Sequence, residues 1–510
     1  MKRRTVLSVG AGAATAWLTG CATQGSGSLD RGSSKSGVEP RSIGPVDSSL
    51  ALHLHNRLGY GARPGDIEKL KSMGAGPWIA AQLVPASIAQ PADLVASLDA
   101  MPVLQERHAP TLETYARRQA DALSPALTES QRAAAQAELT ALVQRVQGQA
   151  RQARLMRAAT SNRQLEEVLV EFWFNHFNVF AGKETVRVTA GFYEAEAIRP
   201  HVLGRFRDLL GATARHPAML NYLDNWQSVA SGFALPRGTP LPPGFVMPRG
   251  PNENYARELL ELHTLGVDGG YTQADVSELA RVFTGWSFDR RNPGPTDAFR
   301  FYAARHDSGP KRLLGTQVPG SGQQQGEWAL DLLARHPATA RHISRKLAAS
   351  FVSDEPPPAL VERLAARYSQ TDGDLREVMR TLIFSPEFLD PSMRGAKFKT
   401  PYQYTVSAVR ACAMPLGDPR QLAGAVARMG MPIFLCPTPD GWRDSREAWL
   451  NPEGLRQRAE FGIRLGGQTG AALTDTLSAS LSAGAQSVMA GLPPKERVSM
   501  ALASPDFMRR

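Results

Sequence analysis

Residues 252–286 read NENYARELLELHTLGVDGGYTQADVSELARVFTGW, and this stretch decides the fold class of the chain. Apolar residues recur at spacings of three and four in residues 252–265 and again after Thr272, where Thr272 and Asp275 suit the start of a helix. A glycine-containing polar turn separates the two segments. The pattern predicts two helices that are joined by a short turn and closed by Trp286.

The remaining chain carries the same helical periodicity and almost no two-residue alternation. Helices are predicted at residues 51–59, 66–73, 78–83, 111–161 with a break near Ser124-Pro125, 165–180, and from 327 through 428. Irregular Pro/Gly-rich stretches fall at residues 231–251 and 289–326. The first is long for a connection without secondary structure, which favours a functional lid. We therefore predict an all-α, mostly helical protein with few short strands.

The N-terminus predicts export. Lys2, Arg3 and Arg4 precede a weakly apolar stretch, residues 9–18, that is too short to span a bilayer. Paired arginines before a weak apolar region favour the folded-export (Tat) route. Leu18-Thr19-Gly20-Cys21 resembles a lipobox, which predicts that Cys21 is lipidated. A plain signal peptide with an incidental cysteine is the alternative, and the small residues before Cys21 disfavour it.

This N-terminus predicts the organisation of the whole chain. Residues 1–20 are a signal peptide, and the Ser/Gly-rich residues 21–47 are a flexible tether. Residues 48–510 are one large helical domain or two packed subdomains. The expected location is the cell envelope, facing the periplasm or the cell surface, with lipid as the only membrane anchor.

The net charge limits the possible binding partners, and the cysteines limit the possible disulfide bonds. The formal charge is +10, and loss of the three basic residues of the leader leaves +7 for the mature chain. Nucleic acid is excluded as a partner because the basic residues are dispersed and the protein is predicted to be exported. Cys412 and Cys436 are either a disulfide or two buried thiols.

The first candidate site is the predicted helix 165–180. Glu167, Asn175 and Asn178 fall within about 40° of Glu171 at about 100° per residue. The rest of the circumference is apolar, so the helix should be buried with a narrow polar stripe. Either the stripe lines a pocket, or it touches solvent or hydrogen-bonds a loop. His176 lies on the apolar arc, which favours a core histidine over a ligand.

The second candidate is the predicted helix 252–265, in which Asn254, Glu258 and Glu261 share one strip with Arg257 beside them. A solvated ion-pair face is the structural alternative. Glu261 and His263 are about 160° apart on a regular helix, so they cannot share one metal ion. Two further stretches complete the hypothetical site. Asp224 and Asn225 precede the proline-rich loop, and His306, Asp307 and Lys311 suit either acid–base chemistry or a capped turn.

Several established motifs are absent from the sequence. We find no His-Glu-x-x-His pair for zinc, no Glu-x-x-His pair of the di-metal bundle kind and no Gly-x-Ser-x-Gly elbow. The Gly182-Lys183 pair lacks the remaining residues of a phosphate-binding loop.

These segments also carry a family resemblance. The relevant blocks are His55 to Gly61, Phe172 to Phe177, His216 to Leu220 through Asn225, Asn252 to Gly266, Thr284 to Trp286, His306-Asp307 with Lys311, Arg345 to Leu347, and Pro437 to Trp449 with Gly441-Trp442. In this order they resemble the exported bacterial family known as domain of unknown function 1800, over nearly the whole mature chain. The resemblance implies an exported, mostly helical protein with no assigned reaction. It also implies a partner, because members are often encoded beside a second exported family.

Two classes of function fit these observations. The first is an envelope enzyme whose catalytic residues are Glu171, Asn175, Glu258 and Glu261. Such a site suits hydrolysis of a sugar or an ester, or binding of a divalent cation. The second is a non-catalytic surface protein that binds or assembles something with an exported partner. Stripes that face each other in one pocket with raised carboxyl pKa values would favour the enzyme.

Overall fold

Helices carry almost all of the regular structure. The computed structural model describes residues 43–235, 250–413, 417–469 and 475–510. Over these residues it has 24 α-helices and four short strands, which confirms the all-α prediction. The first twelve helices are α1 Ser48–Arg57, α2 Asp66–Met73, α3 Ala75–Gln82, α4 Ala92–Asp99, α5 His108–Leu123, α6 Glu129–Thr160, α7 Gln164–His176, α8 Val186–Phe192, α9 Phe206–Arg215, α10 Pro217–Tyr222, α11 Glu253–Glu258 and α12 Gln273–Val282. The second twelve are α13 Gln323–Arg335, α14 Pro337–Phe351, α15 Pro358–Gln370, α16 Leu375–Ile383, α17 Pro386–Leu389, α18 Pro401–Ala411, α19 Pro419–Arg428, α20 Arg446–Trp449, α21 Pro452–Thr469, α22 Asp475–Ala479, α23 Ala483–Ala490 and α24 Pro494–Ala503.

The 32-residue helix α6 is the longest element. It begins with a reciprocal capping box between Thr128 and Gln131, and the predicted break near Ser124-Pro125 separates it from α5. It packs against α5, α8, α18 and α19. Helix α6 therefore packs against helices that come from both halves of the chain.

Two short helices lie at the centre of the fold. Every residue of α18 is buried, and ten of the thirteen residues of α7 are buried. Thr400 and Gln403 form the capping box that starts α18, and Pro401 occupies its first turn, where a missing N–H costs nothing. Apolar residues of most helices join one large hydrophobic cluster, and two small clusters lie apart from it, so the central helices are enclosed by the rest of the chain.

The predicted helix 252–265 is present, but its second half is not a regular α-helix. Regular α-helix ends at Glu258, and Leu259–Thr264 continue as a π-helix. The wider π-turn changes the angular spacing, so the 160° separation of Glu261 and His263 does not apply. Both side chains still diverge, because His263 is buried while Glu261 is only partly buried and accepts from the Tyr271 hydroxyl at 3.2 Å.

The strands form two antiparallel hairpins within the predicted irregular stretch 289–326 and just before it. Trp286–Phe288 (β1) pairs with Phe299–Phe301 (β2), and Arg312–Leu313 (β3) pairs with Thr316–Gln317 (β4). These hairpins brace the end of α12 and leave the core helical.

Some predictions fall on residues that the structure does not describe. They are the signal peptide, the lipidated Cys21, most of the tether and residues 236–249 of the proposed lid. Within the described parts of the chain, no helix is both long and apolar enough to cross a membrane. Cys412 and Cys436 are both free thiols, which decides between the two alternatives in favour of no disulfide.

Candidate functional site

The two glutamates in the polar stripe of α7 differ in their partners: both carboxylate oxygens of Glu167 are hydrogen-bonded, and only one of Glu171 is. Glu167 is 3 % exposed and receives both guanidinium nitrogens of Arg199, at 2.8 and 2.9 Å. This bidentate ion pair occupies the carboxylate fully, so Glu167 is a structural residue.

Glu171, one turn further along α7, is held differently. The Tyr60 hydroxyl donates to Oε2 at 2.9 Å, while Oε1 receives no donor from the described residues. Oε1 is not fully enclosed by protein atoms, so it borders free volume. Burial raises the pKa of Glu171, and Arg154 and Tyr60 oppose the shift without cancelling it. The environment therefore favours the protonated acid.

The two asparagines hold a loop. Asn175 Nδ2 donates to the Trp442 carbonyl and Asn175 Oδ1 accepts from the Trp442 N–H, both at 2.7 Å. Asn178 Nδ2 donates to the carbonyls of Cys436 and Thr438, at 3.1 and 2.8 Å. Gly441 has φ +73°, and a Cβ there would lie 2.3 Å from the Asn175 carbonyl oxygen. Loop 437–442 is thus clamped onto the polar stripe.

Two small cavities lie under this loop. We name them the Arg154 cavity, of about 30 Å³, and the Asp444 cavity, of about 40 Å³. Their shared wall consists of Glu171, Asn175, Met431 and Trp442. A water molecule needs about 10–15 Å³ measured in this way, so each cavity has room for two or three waters.

The far walls of the cavities carry opposite charges. In the first, Arg154 pairs with Glu194 at 3.2 Å and lies against the rings of Phe174, Tyr402 and Phe434. In the second, Asp444 accepts from Ser350 Oγ at 3.0 Å and from Arg510 at 3.0 and 3.1 Å.

Asp444 has the opposite protonation preference to Glu171. Burial alone would raise the pKa of Asp444, but Arg510 and Lys397 outweigh it and hold that pKa below its usual range. One cavity is therefore bordered by a carboxyl that favours the acid and by a carboxyl that favours the anion.

The structure does not bring Glu258 and Glu261 into these cavities, contrary to the expected single cluster. Glu258 lies near Asp440 of the clamped loop, and its pKa is raised by partial burial and by Glu261. Neither residue contributes to the walls that Glu171 lines. Of their predicted neighbours, Asn254 is exposed and Arg257 bonds Glu253 and Gln273.

The other predicted residues are occupied in structural contacts. Lys183 pairs with Asp224 at 2.6 Å, and Asn225 Nδ2 donates to the carbonyls of Phe283 and Trp286. Asp307 pairs with Arg281, at 2.9 and 3.1 Å. His306 contacts Thr284 and Gln325, and Lys311 Nζ donates to three oxygens. These contacts correspond to the capped-turn alternative for residues 306–311.

His176 occupies the core, as its position on the apolar arc indicated. It is 2 % exposed, and its Nε2 bonds the His263 carbonyl at 3.1 Å. His342 bonds the neighbouring Leu262 carbonyl in the same way, at 3.1 Å. Two imidazoles therefore cap carbonyls at the end of the π-helix.

One group of side chains has the spacing of a metal site. Within the described residues, only His108, Glu196 and His216 bring three ligand atoms within 4.8 Å of one another. However, His216 Nδ1 accepts from the Ala218 N–H at 3.1 Å, so in neutral His216 the proton is on Nε2. A metal-binding histidine has the reverse arrangement, with a bare nitrogen on the metal and the other donating. The tautomer therefore opposes metal binding at this group.

Four residues of this region escaped the sequence-based prediction: Tyr60, Arg154, Asp444 and Lys346. Tyr60 and Lys346 lie within blocks that carry the family resemblance, and Asp444 lies in the block 437–449. Arg154 belongs to an arginine-rich segment in which nothing distinguishes it. Reading those blocks residue by residue, rather than as fold markers, would have found three of the four.

Comparison with known proteins places the chain in a family. The model of the family described as protein of unknown function (DUF1800) matches residues 53–509, so the chain belongs to that family. Neither the curated proteins nor the solved structures gave a significant match.

Proposed function

We propose that the protein is an exported envelope lipoprotein that hydrolyses a glycosidic or ester bond, with Glu171 as the proton donor and Asp444 as the ionised partner. The single observation that carries this proposal is that two carboxyls border one cavity while their pKa values are displaced in opposite directions. Opposed displacement is how hydrolases assign the acid and the base among chemically similar groups.

Each neighbour then has a stated task. The Tyr60 hydroxyl fixes Oε2 of Glu171, which leaves Oε1 free to carry the proton toward a leaving oxygen. Arg510 and Ser350 hold the Asp444 carboxylate, which accepts a proton from an attacking water. The Asp444 cavity has room for that water.

Substrate entry requires movement of the loop 437–442. Trp442 and Met431 belong to the walls of both cavities, whose volume is far below that of a sugar ring. Asn175 and Asn178 bind only the backbone of the loop, so the loop can be released without replacing a side-chain contact inside the cavity. Glu258 lies near Asp440 of this loop, so the two carboxylates are close to the segment that has to move.

The test compares two glutamates of one helix. The full chain is assayed against fluorogenic glycosides and esters and against envelope polysaccharide, as wild type, Glu171→Gln and Glu167→Gln. Loss of the general acid lowers kcat about 100-fold or more in Glu171→Gln. Glu167→Gln breaks the Arg199 ion pair, so it lowers stability while the folded fraction keeps its kcat. Equal turnover by wild type and Glu171→Gln would contradict the assignment.

A divalent cation is an alternative occupant of the same site. Ionised Glu171 and Asp444 offer the hard oxygen ligands that Mg²⁺ and Ca²⁺ prefer. Elemental analysis of the natively exported protein, together with activity before and after dialysis against a chelator, separates this case. A chelator effect that Glu171→Gln abolishes supports the cation, and full activity without metal supports proton transfer alone.

A non-catalytic role has one observation in its favour. Cavities of about 30 and 40 Å³ are what a buried, hydrated polar network needs without any substrate. In that case no member of the substrate panel is turned over, and Glu171→Gln complements a deletion strain as well as wild type does. The exported partner that the family resemblance implies would then be the first binding candidate.

Lipid anchoring is tested separately. Labelling cells with a radioactive fatty acid is expected to mark the wild-type protein and to leave Cys21→Ser unlabelled, because the thiol at residue 21 is the acylation site. Equal labelling of both proteins would show that the anchor is elsewhere or absent.

A further inference from the structure

Lys346 differs from the other buried or partly buried lysines that the structure describes. Lys183, Lys311, Lys397 and Lys399 each donate to at least two oxygens. Lys346 is partly buried and donates to no described residue, and no described carboxylate lies within ion-pair distance of it. Its Nζ is not an enclosed atom either, so it reaches solvent.

The groups around Lys346 come from four elements. His176 of α7, His263 of the π-helix and His342 of α14 form a cluster in which the His263 and His342 rings lie 6.1 and 6.2 Å from that of His176. Lys346 follows His342 by one turn of α14, and Asp440 of the clamped loop is the described acid that influences it. Arg345, the adjacent residue on α14, acts on His342.

The three histidines are uncharged. Burial lowers the pKa of His263 to about 3 and that of His342 to about 4, and it takes the pKa of His176 well below its usual range. Lys346 is itself the second cause of each shift. The amine therefore has neutral imidazoles near it, and Asp440 is the only acid in the described parts of the chain whose charge favours the protonated amine. Burial accordingly lowers the pKa of Lys346 to about 8.

Lys346 also lies close to the candidate site. Residues four apart on a helix share a face, so Lys346 lies one turn from Ser350, which lines the Asp444 cavity. Asp440 precedes Gly441, the residue that Asn175 contacts. Lys346 therefore shares a helix face with a wall residue of the Asp444 cavity, and the charge of Asp440 reaches it.

We propose that Lys346 is a nucleophilic amine that forms a Schiff base with the carbonyl carbon of an aldehyde or ketone ligand. The unprotonated nitrogen attacks the carbonyl carbon, the nitrogen gives one proton to solvent, and the oxygen takes one up from solvent to give a carbinolamine. The hydroxyl takes a second proton from solvent and leaves as water while the nitrogen lone pair forms the C=N bond, and the resulting iminium loses its remaining N–H proton to solvent. No oxidation or reduction is involved, and the step is independent of the proposed hydrolysis.

Reductive trapping tests this inference. The full chain is incubated with glycolaldehyde and cyanoborohydride to low extent, digested, and quantified by mass spectrometry at each lysine from pH 6 to 10. At pH 7 an amine of pKa about 8 is roughly 10 % unprotonated, whereas an ordinary lysine of pKa about 10.4 is far less so. Lys346 is expected to react at least about 10-fold faster than Lys71, with a half-maximal rate near pH 8. Reaction no faster than that of Lys71 would overturn the proposal.

Asp440 provides a second, independent readout. Its negative charge supports protonation of Lys346, so Asp440→Asn is expected to move the half-maximal labelling of Lys346 to lower pH. Asp418→Asn is the matched control, because Asp418 caps α19 and pairs with Arg420 at the surface. A labelling profile that is the same in both variants would remove Asp440 from the site.

Discussion

The turn at residues 306–311 and the region between α7 and α14 are both polar. They differ in how many of their polar side-chain atoms have hydrogen-bond or ion-pair partners. In the turn, Lys311 Nζ meets three oxygens, Asp307 is paired with Arg281, and His306 contacts two partners. Between α7 and α14, Oε1 of Glu171 and Nζ of Lys346 have no described partner. A structural cluster uses up its hydrogen-bonding capacity, whereas a site keeps some of it for a ligand.

The same contrast holds within α7. Glu167 and Glu171 occupy one face of one helix and are both buried, yet only Glu167 has a bidentate arginine partner. Residue type, helix face and burial do not separate a structural glutamate from a candidate catalytic one. What distinguishes the two glutamates is the side chain that another segment of the chain places against each carboxylate.

The largest expected effect on stability is in the saturated turn. Lys311→Met leaves the carbonyls of Asp307 and Gly309 and the Gln325 amide oxygen without their donor, in a place where the lysine side chain has no exposure. Removing one side of such a buried charged contact costs about 3–5 kcal/mol. Urea unfolding measures the loss. Lys71→Met, at an exposed residue, is expected to stay within about 0.5 kcal/mol of wild type. A similar small change for Lys311→Met would remove the distinction between the two regions.

The loop clamp should give the next largest effect. Gly441→Ala places a Cβ 2.3 Å from the Asn175 carbonyl oxygen at a positive φ, which we expect to cost about 2–3 kcal/mol. The matched control is Gly148→Ala in α6, where nothing lies within 4 Å of a new Cβ. That substitution should stabilise the protein by about 0.5–1 kcal/mol, because alanine is the better helix former. Equal melting temperatures for the two variants would show that the loop is not clamped.

A smaller effect depends on pH and has opposite signs at the two cavity carboxyls. Glu171 has a raised pKa in the folded state, so its stabilising contribution is complete below the unfolded value of 4.5 and is lost as the pH rises through the folded value. Asp444 has a lowered pKa, so its contribution is present above 3.8 and is lost as the pH falls through the folded value.

Unfolding free energies from pH 3 to 8 measure this difference. Glu171→Gln should gain stability relative to wild type as the pH rises above about 4.5, by about 1.4 kcal/mol for each unit of pKa displacement. Asp444→Asn should instead be most destabilised at neutral pH. Parallel curves for both variants would show that the two carboxyls have similar environments.

Much of the fold was predictable, because helical periodicity is a local property. The break between α5 and α6 and the exact span of α2 followed from local residues. The π-turn at Leu259–Thr264 did not, because its Leu262 and His263 carbonyls accept hydrogen bonds from His342 and His176, which lie on other helices. The stripe of α7 was likewise predictable as buried and polar.

The site was predictable only in part, because its partners come from distant segments. Asn175 meets Trp442 from 267 residues away, and Tyr60 reaches Glu171 across 111 residues. Nothing local to α7 distinguishes the glutamate that meets Arg199 from the one that meets a cavity. The expected pairing of Glu171 with Glu258 failed for the same reason, since the loop 437–442 covers the stripe where α11 was expected.

Direct titration of Glu171 tests the central claim most closely. Infrared difference spectra between wild type and Glu171→Gln, recorded from pH 3 to 8, isolate the carboxyl band of this one residue. The account predicts a protonated-carboxyl signal that persists above pH 4.5, while the band isolated by Asp444→Asn is already ionised below 3.8. A Glu171 signal that disappears at or below pH 4.5 would contradict the assignment of Glu171 as the acid.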